Sequence, residues 1–183
     1  MSQYQIAVIV GSLRSDSLNR KLASAVAKLA PPGFSFRQVS IGNLPLYNQD
    51  DDANLAESVK QLKSEIKSAQ GLMFVTPEYN RSIPGVLKNA IDHVSRPYGQ
   101  SAWAGKPAGV MGASPGAMGT AMAQQHLRNI LAHLDVSTMG QPEAFIHAKA
   151  GLFDENGNIG PENQKFMQNW MDHYVAWIKK HSA

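Results

Sequence analysis

The feature that most constrains this chain is a regular exchange of short apolar runs with longer stretches of helical periodicity. Tyr4 to Val10, Phe34 to Ile41, Gly71 to Thr76, Pro107 to Ala113 and Glu143 to His147 read as strands, the last being the weakest. The first and third are near-continuous apolar runs, the pattern of strands buried on both faces. Between and after them lie five helical stretches. Ser17 to Leu29 spaces Leu18, Leu22, Ala25, Val26 and Leu29 on one face and stops at Pro31-Pro32-Gly33. Asn54 to Ser68 is amphipathic. Ser82-Ile83-Pro84-Gly85 opens a helix to about Arg96, with Ser82 suited to the cap and Pro84 to the first turn. Gly116 to Leu134 and Pro161 to Lys180 complete the set, and Leu44 to Asp52 is a loop. Trp170, Tyr174 and Trp177 repeat at helical spacing, which is a packing stripe.

Strands that alternate with helices form a parallel sheet covered on both faces. Right-handed crossovers leave few ways to order it. The expected fold is therefore a three-layer α/β/α sandwich with a five-stranded parallel sheet in the flavodoxin-like order 2-1-3-4-5. The 183 residues make one domain of it, spanning 1–183. Such sheets bind ligands beyond the carboxyl ends of the strands, where the order reverses. That directs attention to the loops after Gly11 and after Thr76.

Composition removes several chemistries. The chain has no cysteine, so thiolate nucleophiles, Fe–S clusters and disulfides are excluded, and a reducing compartment is consistent with that. The net charge of +3 is spread along the chain and the one charge run, Asp50-Asp51-Asp52, is acidic. Nucleic-acid binders concentrate basic residues, so no nucleic-acid partner is expected. No apolar run reaches the ~20 residues of a membrane span. The opening segment lacks the basic region of a signal peptide. The expectation is a cytoplasmic protein without membrane insertion.

Three loops carry candidate chemistry. Gly11-Ser12-Leu13-Arg14-Ser15-Asp16-Ser17-Leu18-Asn19-Arg20 joins a strand to a helix N-terminus, where free N–H groups and the helix dipole favour an anion. It lacks the lysine and second glycine of a P-loop and the glycines of a dinucleotide fingerprint. Hydroxyls and one arginine suit a single phosphate, although the same serines also suit ordinary helix capping. Pro77-Glu78-Tyr79-Asn80-Arg81-Ser82-Ile83-Pro84-Gly85 is a proline-stiffened loop whose ring, amide and backbone groups suit a planar heterocycle. A plain turn before a capped helix is the alternative. Gly112-Ala113-Ser114-Pro115-Gly116 matches a hydrolase nucleophile elbow, with Asp135 and His147 downstream. Pro115 has no N–H to supply the oxyanion hole, which argues against that chemistry. The small residues Gly112, Ser114, Gly116 and Gly119 instead permit close approach of a flat ligand. His126 and His133 have no carboxylate to complete a metal site and read as surface or interface residues.

Together these loops resemble the NADPH-dependent FMN reductase family, which includes bacterial quinone and chromate reductases. The segments that carry the likeness are GSLRSDSLNR at 11–20, LPLYNQD at 44–50, PEYNRSIPGVLKNAIDHVSRP at 77–97 and GASPGAMG at 112–119. The resemblance implies that Ser12, Arg14, Ser17, Leu18 and Asn19 surround the phosphate of FMN. It implies that Pro77, Glu78, Tyr79 and Asn80 line the isoalloxazine ring, and that Ser114 and Gly116 touch its other edge. It implies NADPH or NADH as electron donor and a small-molecule acceptor such as a quinone, a flavin, an azo compound or chromate. It also implies a homodimer or homotetramer, with the helix from Pro84 in the interface and Lys88, Asp92 and Arg96 on one of its faces. FMN would carry the redox chemistry, so no protein side chain is expected as a catalytic acid or base. A flavodoxin-type electron carrier without NAD(P)H turnover is the rival reading. Such carriers are typically acidic, and this chain is not.

Overall fold

The computed structural model describes residues 4–182. Strands β1 (Tyr4–Val10), β2 (Phe34–Gln38), β3 (Gly71–Val75) and β4 (Pro107–Ser114) form a parallel ladder in the order 2-1-3-4. Helices α1 (Leu18–Ala27), α2 (Glu57–Ser68), α3 (Gly85–Ser95), α4 (Ala121–His133) and α5 (Pro161–His181) cover it. The expected flavodoxin-like order is therefore present.

The edge beyond β4 differs from expectation. A single fifth strand was expected over Glu143 to His147. The structure has two short strands there, β5 (Ser137–Thr138) beside the start of β4 and β6 (Ala144–His147) beside its end. Residues 139–143 make an excursion while β4 advances only through 109–110. Pro142 sits in that excursion and has no N–H to give to a ladder.

The period-2 pattern of the strands decides which helix covers which face. Ile6, Val8 and Val10 of β1, with Met73 and Val75 of β3, pack on Leu22 and Val26 of α1 and on Met167, Trp170 and Tyr174 of α5. Ala7 and Ile9, with Leu72 and Phe74, pack on Leu62 and Ile66 of α2, Leu87 and Ile91 of α3 and Leu127 of α4. The aromatic stripe of α5 is core, as expected. Trp170 stacks on Tyr174 at 5.1 Å, and the Tyr174 hydroxyl donates to the Leu72 carbonyl at 3.0 Å.

The small residues of β4 belong to this packing. A Cβ added at Gly109 would stand 2.6 Å from Tyr174 Cδ2 and 2.9 Å from Trp170 Cη2. Neither ring is free to retreat, so Gly109→Ala should destabilise the protein by about 1–3 kcal/mol. Urea unfolding should show a lower midpoint at unchanged slope, and an unchanged midpoint would mean that the α5 stripe is not tightly packed.

Candidate functional site

The chain order reverses between β1 and β3, and the loops that follow them lie side by side. The Gly11 N–H donates to the Val75 carbonyl at 3.0 Å, and a Cβ at Gly11 would meet Thr76 Oγ1 at 3.1 Å and Pro77 Cδ at 3.3 Å. A glycine is what allows the two loops to approach so closely.

The first loop is built around the N-terminus of α1. Ser17 is the N-cap, as its type and place suggest, and its hydroxyl oxygen accepts from the Arg20 N–H. The Lys21 N–H goes to the Ser17 carbonyl. Among the described residues this leaves the N–H groups of Leu18 and Asn19 without a partner at the positive end of the helix. Ser12 and Ser17 are buried, and Arg14 is exposed beside them. The Ser17 oxygen accepts its bond, so its hydroxyl proton stays available.

Arg20 was not expected to contribute, and it organises the loop. Its guanidinium donates to the carbonyls of Arg14 at 3.1 Å, Ser15 at 3.3 Å and Ser12 at 3.5 Å. A trans peptide points its N–H opposite to its carbonyl. Drawing those carbonyls to Arg20 therefore turns the N–H groups of Ser15, Asp16 and Leu13 away from it. The available signal was a cation in the first turn of a helix, where the dipole disfavours it. Asp16, the one acid of the loop, is paired with Lys21, whose ammonium holds its carboxyl below the usual range.

Asn19 has a second duty. It is buried, and its side-chain amide donates to the Ala113 carbonyl and accepts from the Ala113 N–H, each at 2.9 Å. Both polar ends of the side chain are thus engaged with β4, so only the backbone N–H of Asn19 is open toward the loop.

The second loop contains a tight turn. Tyr79 and Ser82 exchange both backbone hydrogen bonds at 3.0 Å, and Asn80 and Arg81 have φ of 51° and 66°. That is a type I′ turn, which favours Asn followed by Gly. Arginine in the left-handed region costs about 1–2 kcal/mol. Ser82 is therefore not the cap of α3. It belongs to the turn, Pro84 occupies the cap position without a side-chain bond, and the Ser82 hydroxyl pairs with His126 Nδ1 at 3.0 Å. Glu78 accepts the Ala123 N–H at 3.1 Å and so serves the first turn of α4. Tyr79 is half exposed.

The third loop follows β4. The Ser114 hydroxyl oxygen accepts the Gly116 N–H at 3.0 Å, and Pro115 to Met118 are exposed. Two of the small residues expected to admit a ligand have other reasons to be small. A Cβ at Gly112 would run into the Thr76 carbonyl and the Thr120 hydroxyl. At Gly119, φ is 58° and a Cβ would meet Phe145 C at 2.7 Å. Of these three glycines only Gly116 would take a Cβ without a clash, its nearest neighbour being Ser114 Oγ at 3.5 Å. The hydrolase arrangement is absent. The Asp135 carbonyl accepts from Gly105, before the start of β4, while Ser114 ends that strand, whose length alone is ~23 Å at the usual rise.

The three loops thus join into one braced unit at the carboxyl edge of the sheet. The first loop offers unpartnered N–H groups, two hydroxyls and the free guanidinium of Arg14 to an anion, next to a rigid turn and an exposed aromatic ring. That donor set fits a phosphate monoester joined to a flat ring system. No group of three metal-ligating side chains occurs among the described residues.

A doubly wound parallel sheet with such a site defines the class of flavin-binding oxidoreductases with the flavodoxin fold. The family described as NADPH-dependent FMN reductase matches residues 4–151, and the chain belongs to it. A 2-hydroxy-1,4-benzoquinone reductase of a Burkholderia species is 54% identical over 176 residues, covering 96% of both chains. A quinone reductase of Pseudomonas putida is 48% identical over 185 residues, the whole of both chains. Among solved structures, the flavoenzyme NAD(P)H:(acceptor) oxidoreductase FerB of Paracoccus denitrificans superimposes with a TM-score of 0.94 at 47% identity, covering 98% of this chain and all of that one. The resemblance read from the loops is borne out. The protein is an oxidoreductase that works with FMN and NADPH or NADH.

The bracing makes a specific demand on Asn19. Asn19→Ala removes two buried hydrogen bonds and leaves the Ala113 peptide unpaired, so stability should fall by about 2–4 kcal/mol. FMN affinity should fall with it, because the first and third loops lose their tie. Urea unfolding and a flavin titration check both; full stability in the variant would show that the tie is dispensable.

Proposed function

We propose that this chain is a cytoplasmic NAD(P)H:quinone reductase, a single FMN-binding domain that assembles as a homodimer or homotetramer. The observation that carries the reading is the set of unpartnered N–H donors at the start of α1, beside the Tyr79–Ser82 turn at the chain reversal. In this reading Ser12, Arg14 and Ser17, with the N–H groups of Leu18 and Asn19, hold the FMN phosphate. Pro77, Glu78, Tyr79 and Asn80 line the ring, Glu78 through its backbone because its carboxylate is engaged with α4. Ser114 and Gly116 border the other edge. Bound FMN supplies the two-electron chemistry. The chain's own residues bind, orient and keep water from the ring.

Support for a quinone comes from two sides. The relatives that match along nearly their full length carry that activity in their names. The surface also has a suitable character. Six large apolar side chains are exposed among the described residues, and four of them, Leu13, Leu46, Tyr79 and Met118, stand one on each of the loops that follow β1, β2, β3 and β4 at the carboxyl edge of the sheet. An apolar rim of that kind suits a flat, weakly polar acceptor, and it contains few groups that would select one substituent pattern.

An assembly is supported by the opposite side of α3. A groove of about 770 Å³ runs between α3 and α4, lined by Tyr47, Ile91, Arg96, Tyr98, Ile130 and Leu134, and Tyr98 is almost wholly exposed. Lys88 and Asp92 pair within α3 at 2.9 Å, while Arg96 lies 6.0 Å from the centre of the Tyr47 ring. Light scattering should give the mass of two or four chains, and a monomer would refute the assembly. The cytoplasm is where NAD(P)H is regenerated, and cell fractionation tests that placement.

The cofactor assignment is tested by affinity. Arg14→Ala and Ser17→Ala should each weaken FMN by roughly ten- to a hundredfold, the size of one charge-assisted bond at ~1.5–3 kcal/mol, and leave riboflavin binding unchanged. Equal affinity of the native protein for FMN and riboflavin would defeat the phosphate cradle. The reaction is tested by anaerobic mixing. NADPH alone should bleach the yellow protein, and added quinone should restore the colour. Steady-state plots should show the parallel lines of a ping-pong mechanism. A protein that NADPH and NADH both leave yellow would be an electron carrier.

A further inference from the structure

Arg81 stands where the backbone argues against it. It is the second central residue of a type I′ turn, with φ of 66°, a position that glycine fills without strain. Its side chain is exposed and makes no hydrogen bond or ion pair among the described residues. Nothing inside the fold therefore accounts for an arginine here. The turn is nevertheless held firmly in place. Glu78 fastens one side to α4 through the Ala123 N–H at 3.1 Å, and Ser82 fastens the other through His126 at 3.0 Å. The bracing fixes the point on the backbone from which this long cation extends.

The charges around the site leave that cation a clear role. Of the nearby acids, Asp16 is paired with Lys21, and the Glu78 carboxylate is engaged at the first turn of α4. Arg20 is spent on loop carbonyls. Among the described residues two cations remain free on the loops after β1 and β3, Arg14 on the first and Arg81 on the second. The electron donor carries a pyrophosphate and, in NADPH, a further 2′-phosphate. The sequence contains no dinucleotide or P-loop glycine fingerprint to take them.

We propose that Arg81 is the anchor for the phosphate groups of the nicotinamide dinucleotide and so positions the donor over the flavin site. The proposal rests on the FMN reading above. It assigns Arg81 a binding role separate from the cradle: Arg14 holds the phosphate of the resident flavin, and Arg81 holds the phosphate of the visiting donor. A guanidinium suits this task because its forked donors stay charged and meet two phosphate oxygens at once.

The test compares the FMN-loaded native protein with Arg81→Gly and Arg81→Lys. Binding of NADP⁺ and of NAD⁺, neither of which reduces the flavin, is followed by calorimetry, and FMN affinity is measured separately. Arg81→Gly should bind NADP⁺ about ten- to a hundredfold more weakly, as expected for one lost charge-assisted contact. The loss should fall on KM for NADPH rather than on kcat. The thermal midpoint of the same variant should rise by roughly 2–4 °C, because glycine relieves the turn. Arg81→Lys should restore part of the NADP⁺ affinity. A loss confined to NADP⁺ supports the proposal with the 2′-phosphate as ligand; an equal loss for NAD⁺ supports it with the pyrophosphate. Unchanged dinucleotide affinity in Arg81→Gly overturns it, and so does a loss of FMN affinity, which would place Arg81 in the cradle. Failure of the native protein to prefer FMN over riboflavin is a separate result that strikes the cradle alone.

Discussion

The site depends on a pair of hydrogen bonds between a side chain and a peptide 94 residues away. Asn19 sits in the first turn of α1, and its amide closes on both polar groups of Ala113 near the end of β4. β3 lies between β1 and β4, so this contact reaches across a strand. An amide is the side chain that can donate and accept at once, which a peptide requires. In a buried setting each such bond is strong, and losing one partner is costly. The first loop is therefore held at both ends, by β1 behind it and by β4 beneath it. The neighbouring loops are tied in the same way. Gly11 rests against Pro77, and Glu78 reaches α4. Ties of this kind hold three separate loops in a fixed geometry relative to one another.

The local parts of this arrangement were legible. β1 falls on Tyr4–Val10, where its apolar run predicts it, and Ser17 caps α1 where its hydroxyl and position predict it. Both follow from neighbours in sequence. The misreadings concern partners distant in sequence. Ser82 has the right type and place to cap α3, but its backbone pairs with Tyr79 and its hydroxyl with His126. The tie of the Glu78 carboxylate to the Ala123 N–H of α4 has no local signal either. Gly112 and Gly119 read as room for a ligand, and they are small because Thr76, Thr120 and Phe145 leave no room for more. The split of the last strand into β5 and β6 depends on how β4 receives each half. Periodicity reports which face is buried, not what it meets.

The electrostatics of the site follow from how its acids are used. An anion cradle fails if carboxylates stand free beside it. Asp16 is matched by Lys21, and its lowered pKa reports that match. The favourable contribution of this pair is present above the ordinary carboxylate value and fades as pH falls through the depressed one. Asp16 is exposed, so the pair matters less for stability than for removing a repulsive charge. Glu78 lies at the start of α4, where an acid complements the helix dipole. Asp16 is thus matched by a cation, and the Glu78 carboxylate is directed to the first turn of α4. The helix dipole, the open N–H groups and the free arginines then set the sign of the field.

The turn at Tyr79–Ser82 shows how stiffness is divided between the chain and its surroundings. Two consecutive residues with positive φ form a narrow hairpin that keeps the Tyr79 ring at the surface. Asparagine tolerates the first position because its short polar side chain suits the left-handed region. Arginine gains nothing comparable at the second, so the strain there must be held by the contacts on either side. Glu78 and Ser82 provide them, and both reach α4, whose inner face is buried against the sheet through Leu127 and Leu131. The strained turn is thereby referred to the core and not to the flexible surface. A loop anchored in that way can present an exposed ring and an exposed charge in fixed positions, which a site shared by a flavin, a dinucleotide and a flat acceptor requires.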